Sequence, residues 1–163
     1  MGKVLYLFQY YGGNKMETIY LIADAFLSFE SMTPKKLQKL CYYAQAWSLV
    51  LRNEPLFNNE FQAWVHGPVC PELYQKYKDF RWNDIPKVDL PLQIDEEVAE
   101  LISEVYETYG DLDGDQLEAL THSETPWREQ RKGLEEWEPS NNIITKESMV
   151  VFYGKMYESN QGE

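Results

Sequence analysis

A chain of 163 residues is about one domain long and can bury roughly two-thirds of the surface its unfolded form exposes, so its core needs no disulfide or metal as a staple. The hydrophobic fraction of 44% is ordinary, whereas 15% aromatic residues, with five Trp and twelve Tyr, is high and serves a core, a contact surface or both. The net charge of -12 arises in residues 93–138, where fifteen Asp and Glu stand against Arg128, Arg131 and Lys132, and such a surface argues against direct nucleic-acid binding.

Cys41 and Cys70 fit neither a metal nor a redox spacing, which suits a reduced, cytoplasmic setting. No run of eighteen apolar residues and no leader-like cleavage site occurs, so neither a membrane span nor a signal peptide is expected.

In chain order, residues 1–15 hold a short apolar patch closed by Gly12-Gly13-Asn14 and read as an appendage. Ile19, Tyr20, Ile22, Ala23, Phe26 and Leu27 have helical spacing and predict a first helix over 17–29. Thr33-Pro34 opens a second, with a capping hydroxyl and a proline where no N–H is missed. Leu37, Leu40, Cys41, Ala44, Trp47 and Leu51 line one side of it, and Tyr42, Tyr43, Ala46, Leu49 and Val50 the other. A helix apolar all round is a central one covered by neighbours.

Phe61, Ala63 and Val65 alternate with Gln62, Trp64 and His66, predicting a short extended segment. A corner is expected at Gly67-Pro68, followed by a helix opened by Pro71 and Glu72 and carrying Leu73, Tyr74, Tyr77 and Phe80. Residues 81–93 read as a loop. Asp95 caps a helix with Val98, Leu101, Ile102, Val105 and Tyr109 on one face, Glu96, Glu97, Glu100, Glu104 and Glu107 on the other, and Gly110 as the stop. Residues 112–122 form a short helix. Thr125-Pro126 repeats the Thr-Pro start ahead of Trp127, and Thr145 caps a last helix with Met149, Val150, Tyr153 and Met156. The expected fold is mainly α: a single compact helical domain, residues 16–157, around one buried central helix, with at most a small β-hairpin or short extended segments, and a polar tail at 158–163.

Familiar catalytic signatures are missing. His66 and His122 are the only histidines, and no G-x-S-x-G elbow, phosphate-binding loop or dinucleotide fingerprint is present. Asp111-Leu112-Asp113-Gly114-Asp115 departs from a calcium loop, because its glycine comes too early and His122 stands where a bidentate Glu is required. The histidines could work with Glu72 or Glu124 in acid–base chemistry, but no nucleophile is marked, and a structural role at the corner is the simpler reading. No catalytic residue, metal ligand or cofactor is assigned. Trp64, Trp82 and Trp137 fall where burial is less assured than at Trp47. Lys35, Lys36 and Lys39 crowd the positive end of the central helix dipole, where acids would be favoured. They either neutralise the acidic segment or form a basic contact point.

The series from Thr33 to Gln45, then Pro55-Leu56-Phe57, then Ala63-Trp64-Val65-His66-Gly67-Pro68-Val69 with Pro71-Glu72-Leu73-Tyr74, resembles the Panacea antitoxin domain, also met under SocA-like and phage-associated GepA-like names. Thr121-His122-Ser123-Glu124-Thr125-Pro126-Trp127 resembles its second block, and Ile143-Ile144 with the last helix fits its end. Leu37, Leu40, Tyr43, Trp47, Gly67, Pro68, Glu72, Leu73, His122 and Pro126 form the structural signature. The resemblance implies a mainly helical, non-enzymatic domain that neutralises a toxin by direct binding, with the toxin encoded beside it and often in a prophage; some relatives deliver the toxin to a protease as adaptors. Residues 1–15 lie outside the pattern and show no helix-turn-helix. Candidate partner-contact residues are Lys35, Lys36, Lys39, Trp64, His66, Tyr74, Glu97, Glu100, Glu104, Glu107 and Trp127. Two alternatives are an acidic inhibitor that imitates nucleic acid and a His-dependent enzyme.

Overall fold

The computed structural model describes residues 16–89 and 92–161. The proposed appendage at 1–15 and the last two residues of the tail lie outside them. In order come α1 (Ile19–Leu27), α2 (Pro34–Leu51), β1 (Phe61–Trp64), β2 (Gly67–Val69), α3 (Pro71–Tyr77), a 3-10 turn (Lys78–Phe80), α4 (Glu96–Tyr109), α5 (Gly114–His122), α6 (Thr125–Gln130), β3 (Ile143–Ile144) and α7 (Lys146–Gln161). The fold is mainly α. No helix among the described residues is long and apolar enough to cross a membrane.

Side-chain caps set most helix starts. Thr18, Thr33, Asp95, Asp113 and Thr145 each accept a backbone N–H from the first turn that follows, and Asp113 forms a reciprocal capping box with Gln116. The first helix therefore begins later than the apolar spacing alone suggested, behind Thr18. The Thr-Pro start at 125 behaves differently from that at 33. Glu124 is the capping position there and gives no side-chain cap, because its carboxylate turns into the core.

Helix α2 is central, with twelve of its 18 residues buried, and it is packed on by α7, α4, α5, α1, α3 and β2. Tyr42, Tyr43 and Tyr153 are among the largest fully buried side chains. The Tyr43 and Tyr153 hydroxyls donate to Glu124 Oε1 at 2.7 and 2.8 Å, and the Tyr42 hydroxyl lies 3.1 Å from that of Tyr153. Burial pushes the Glu124 carboxyl upward, with the two tyrosine bonds partly compensating. Tyr43 stacks on Tyr109, whose hydroxyl receives the Trp47 indole N–H at 2.9 Å.

Two glutamines tie loops to α2. Gln38 accepts from the Cys70 N–H and donates to the Cys70 carbonyl, at 2.9 and 3.1 Å. Gln45, two turns on, accepts from the Leu56 N–H and donates to the Phe57 carbonyl, both at 2.8 Å. Both are buried, so each amide satisfies backbone groups that would otherwise be stranded. Cys41 and Cys70 are free and buried.

The sheet has the order β2-β1-β3, all antiparallel, with Trp64 opposite Gly67, Ala63 opposite Pro68 and Phe61 opposite Ile144. The extended segment thus forms a hairpin whose turn is Val65-His66; the expected corner at Gly67-Pro68 is instead the start of β2. Pro68 is tolerated because β2 is an edge strand. The helix opened by Pro71 tightens into the 3-10 turn after Tyr77, and the last helix continues through the polar residues 158–161. Gly110 closes α4 as expected, in right-handed geometry, its lack of a side chain admitting the Tyr106 carbonyl and ring.

Candidate interaction site around the hairpin

Gly67 explains why the hairpin sits where it does. Its φ of +107° is closed to most residues, and a Cβ there would lie 2.5 Å from the Lys39 Cε. The hairpin therefore presses its backbone onto the lysine stem. Lys39, 1% exposed, donates to the Pro68 carbonyl at 3.3 Å. Burial lowers its ammonium to about 7, with Glu118 pulling the other way and Lys35 adding to the depression.

From outside, Lys35 pairs with Asp115 and Glu118 at 2.9 and 2.8 Å, and His66 Nδ1 lies 3.1 Å from the same Glu118 oxygen. Burial alone would lower Lys35 and raise Glu118. The ion pairs outweigh it, holding the lysine above and the carboxyl below their ordinary ranges. His122 stacks on Trp127 with centroids 3.8 Å apart, and burial, aided by Lys39, His66 and Arg131, lowers its imidazole. The other side of the hairpin is fastened by Trp127, whose indole N–H donates to the Trp64 carbonyl at 2.8 Å, and by Arg131, which donates to the Ala63 carbonyl at 3.1 Å.

The hairpin stands between two hollows. One of about 620 Å³ is bounded by Gln62, Trp64, Val65 and His66 with Pro139, Ser140 and Asn141. The other, about 190 Å³, opens between the first turns of α2, the hairpin, α3 and Arg81. Trp64 and His66 line both. Trp64 packs edge-on to Tyr74 at 5.0 Å, and His66 and Tyr74 are exposed.

The candidate contact residues thus separate into groups. Lys35, Lys39, Trp64, His66, Tyr74 and Trp127 gather around the hairpin. Lys36 does not join them: it pairs with Glu30 at 2.7 Å and donates to the Gly110 carbonyl at 2.6 Å. Glu97, Glu100, Glu104 and Glu107 stay on the exposed face of α4, with Glu97 facing Arg52 at 3.4 Å. The carboxylates first paired with the histidines are elsewhere: Glu72 accepts from the Cys70 thiol, Glu124 from the tyrosines, and His66 takes Glu118 instead. Asp115, from the calcium-like stretch, serves Lys35. The sequence reading missed Gln38, Gln45, Glu118 and Arg131. Of these only the glutamines left a signal, as uncharged polar residues set among the apolar turns of α2.

A family model described as antitoxin SocA-like, Panacea domain, matches residues 37–128, from the first apolar turn of α2 through the hairpin to the Trp127 helix. That is more than half of the chain, which belongs to this family. Among curated proteins, the antitoxin SocA of Caulobacter vibrioides (strain NA1000 / CB15N) is 36% identical over 104 residues, covering 56% of this chain and 55% of the relative. The match therefore spans about half the length of that relative. No solved structure matches.

Proposed function

We propose that this protein is an antitoxin, acting in the cytoplasm, that neutralises a toxin encoded beside it by direct protein–protein contact and without catalysis. The family supports an antitoxin role, and the observation that carries the contact reading is the braced hairpin. Its half-buried Trp64 ring and exposed His66 imidazole stand between two hollows, and its backbone is held by Lys39 on one side and by Trp127 and Arg131 on the other. A rigid surface of that kind loses little entropy when a partner is bound. Aromatic groups supply the desolvated centre of such interfaces. The acidic segment steers a basic toxin face toward it.

Co-expression with a toxic neighbouring reading frame tests this. The wild-type chain restores growth and co-purifies with the neighbour, and Trp64→Ala combined with His66→Ala loses both while remaining folded by circular dichroism. Failure of the wild type to do either removes the proposal. Rescue that survives the hairpin variants, but is lost with the glutamates at 97, 100, 104 and 107 and fades steeply with salt, favours imitation of nucleic acid instead, since those side chains are exposed on one helix face.

A further inference from the structure

The smaller hollow has a marked chemical bias. Its walls are apolar, built by Leu37, Val69, Leu73, Tyr74 and Tyr77. Every ionisable group among its lining residues other than tyrosine is a base: Lys35, Lys39, His66 and Arg81, in a protein of net charge -12. Lys35 and His66 are already answered by Asp115 and Glu118 from α5. The other two are not. Arg81 is exposed and makes no ion pair or side-chain hydrogen bond among the described residues, and its φ of 53° places it in the left-handed region at the end of the 3-10 turn. Lys39 reaches the hollow from below with its single bond to the Pro68 carbonyl.

At about 190 Å³ the hollow holds roughly six waters' worth of space at ~30 Å³ each, below the ~300 Å³ at which small-molecule sites begin. It suits one large side chain of a protein partner. We propose that it is a docking slot for a short acidic–apolar segment of the toxin, in which a large aliphatic or aromatic side chain enters between Leu73 and Tyr74 and a neighbouring carboxylate pairs with Arg81. This rests on the antitoxin reading for the identity of the partner. It divides the interface by charge, because the slot takes acids while the rest of the acidic surface meets bases.

The test begins with the full-length protein immobilised against a phage-displayed library of random dodecapeptides. The expected enrichment is for a large apolar residue with Asp or Glu one to three positions away. A synthetic peptide carrying the enriched motif, followed by fluorescence anisotropy, should bind Arg81→Glu at least tenfold more weakly than wild type and bind Glu100→Lys/Glu104→Lys unchanged. Arg81 is exposed, so its charge reversal leaves the fold intact, which circular dichroism and thermal unfolding verify. Enrichment of basic or uncharged peptides, absence of enrichment, or indifference to Arg81→Glu overturns the slot. Arg81→Glu is then placed in the co-expression assay. Undiminished rescue there overturns the assignment of the slot to the toxin and leaves neutralisation by direct contact standing. Peptide binding by a wild-type chain that rescues no neighbour leaves the slot standing and removes the antitoxin reading.

Discussion

A lysine shut away from water must either find a counter-charge or give up its proton, and Lys39 does more of the second. Its unfolded pKa is near 10.5 and its folded value about 7, so between those limits the unfolded chain binds more protons, and folding stability contributed by this residue rises with pH. The shift corresponds to a penalty on the order of 5 kcal/mol below pH 7. Lys39→Met should therefore gain stability relative to wild type at pH 6, and the gap should close as pH approaches 10, measured by urea unfolding at each pH. Parallel pH profiles for the two proteins would show that Lys39 keeps its charge in the fold. The comparison isolates the lysine from the buried thiols and tyrosines, which titrate alike in both.

Element by element, the molecule is a central helix to which loops are pinned by amides. Gln45→Leu would strand the Leu56 N–H and the Phe57 carbonyl in the core, each costing about 1–3 kcal/mol, so a loss of roughly 2–6 kcal/mol is expected in denaturant unfolding. Gln116→Ala, at the exposed capping box of α5, should cost about 1 kcal/mol or less. Equal losses would mean that the amide clamps contribute no more than a surface cap. These elements also show what was legible beforehand. Central α2, the Asp95 helix with its acidic face, and the glycine requirement at 67 follow from local spacing and backbone sterics. The His66–Glu118 contact did not follow, because the two residues are far apart in sequence and meet only once α5 lies against β2. Nor did the turn at Val65-His66. Gly67-Pro68 looks like a corner locally, and only pairing with β1 makes it a strand.

On the scale of the whole molecule, the contact candidates occupy two territories. The hairpin group lies against α2, α5 and α6, while the acidic face of α4 belongs to a helix packed on α1 and α2. Composition revealed the acidic territory directly, since charge excess is additive along a segment; the hairpin territory had to be assembled by folding. One consequence concerns the two thiols. Both are fully covered, burial raises Cys41 and pushes Cys70 up to about 12, and Cys70 is tied through its backbone to Gln38 directly behind the hairpin. Neither can meet a thiol reagent as thiolate unless its surroundings open. The protein thus carries two built-in clocks. In a time course with a maleimide, read by peptide mass spectrometry, Cys70 should be modified before Cys41, since lifting the hairpin uncovers the first while the second waits for α2 itself to be exposed. A partner seated across the hairpin should slow the first clock, and simultaneous labelling would mean that hairpin and helix open as one unit.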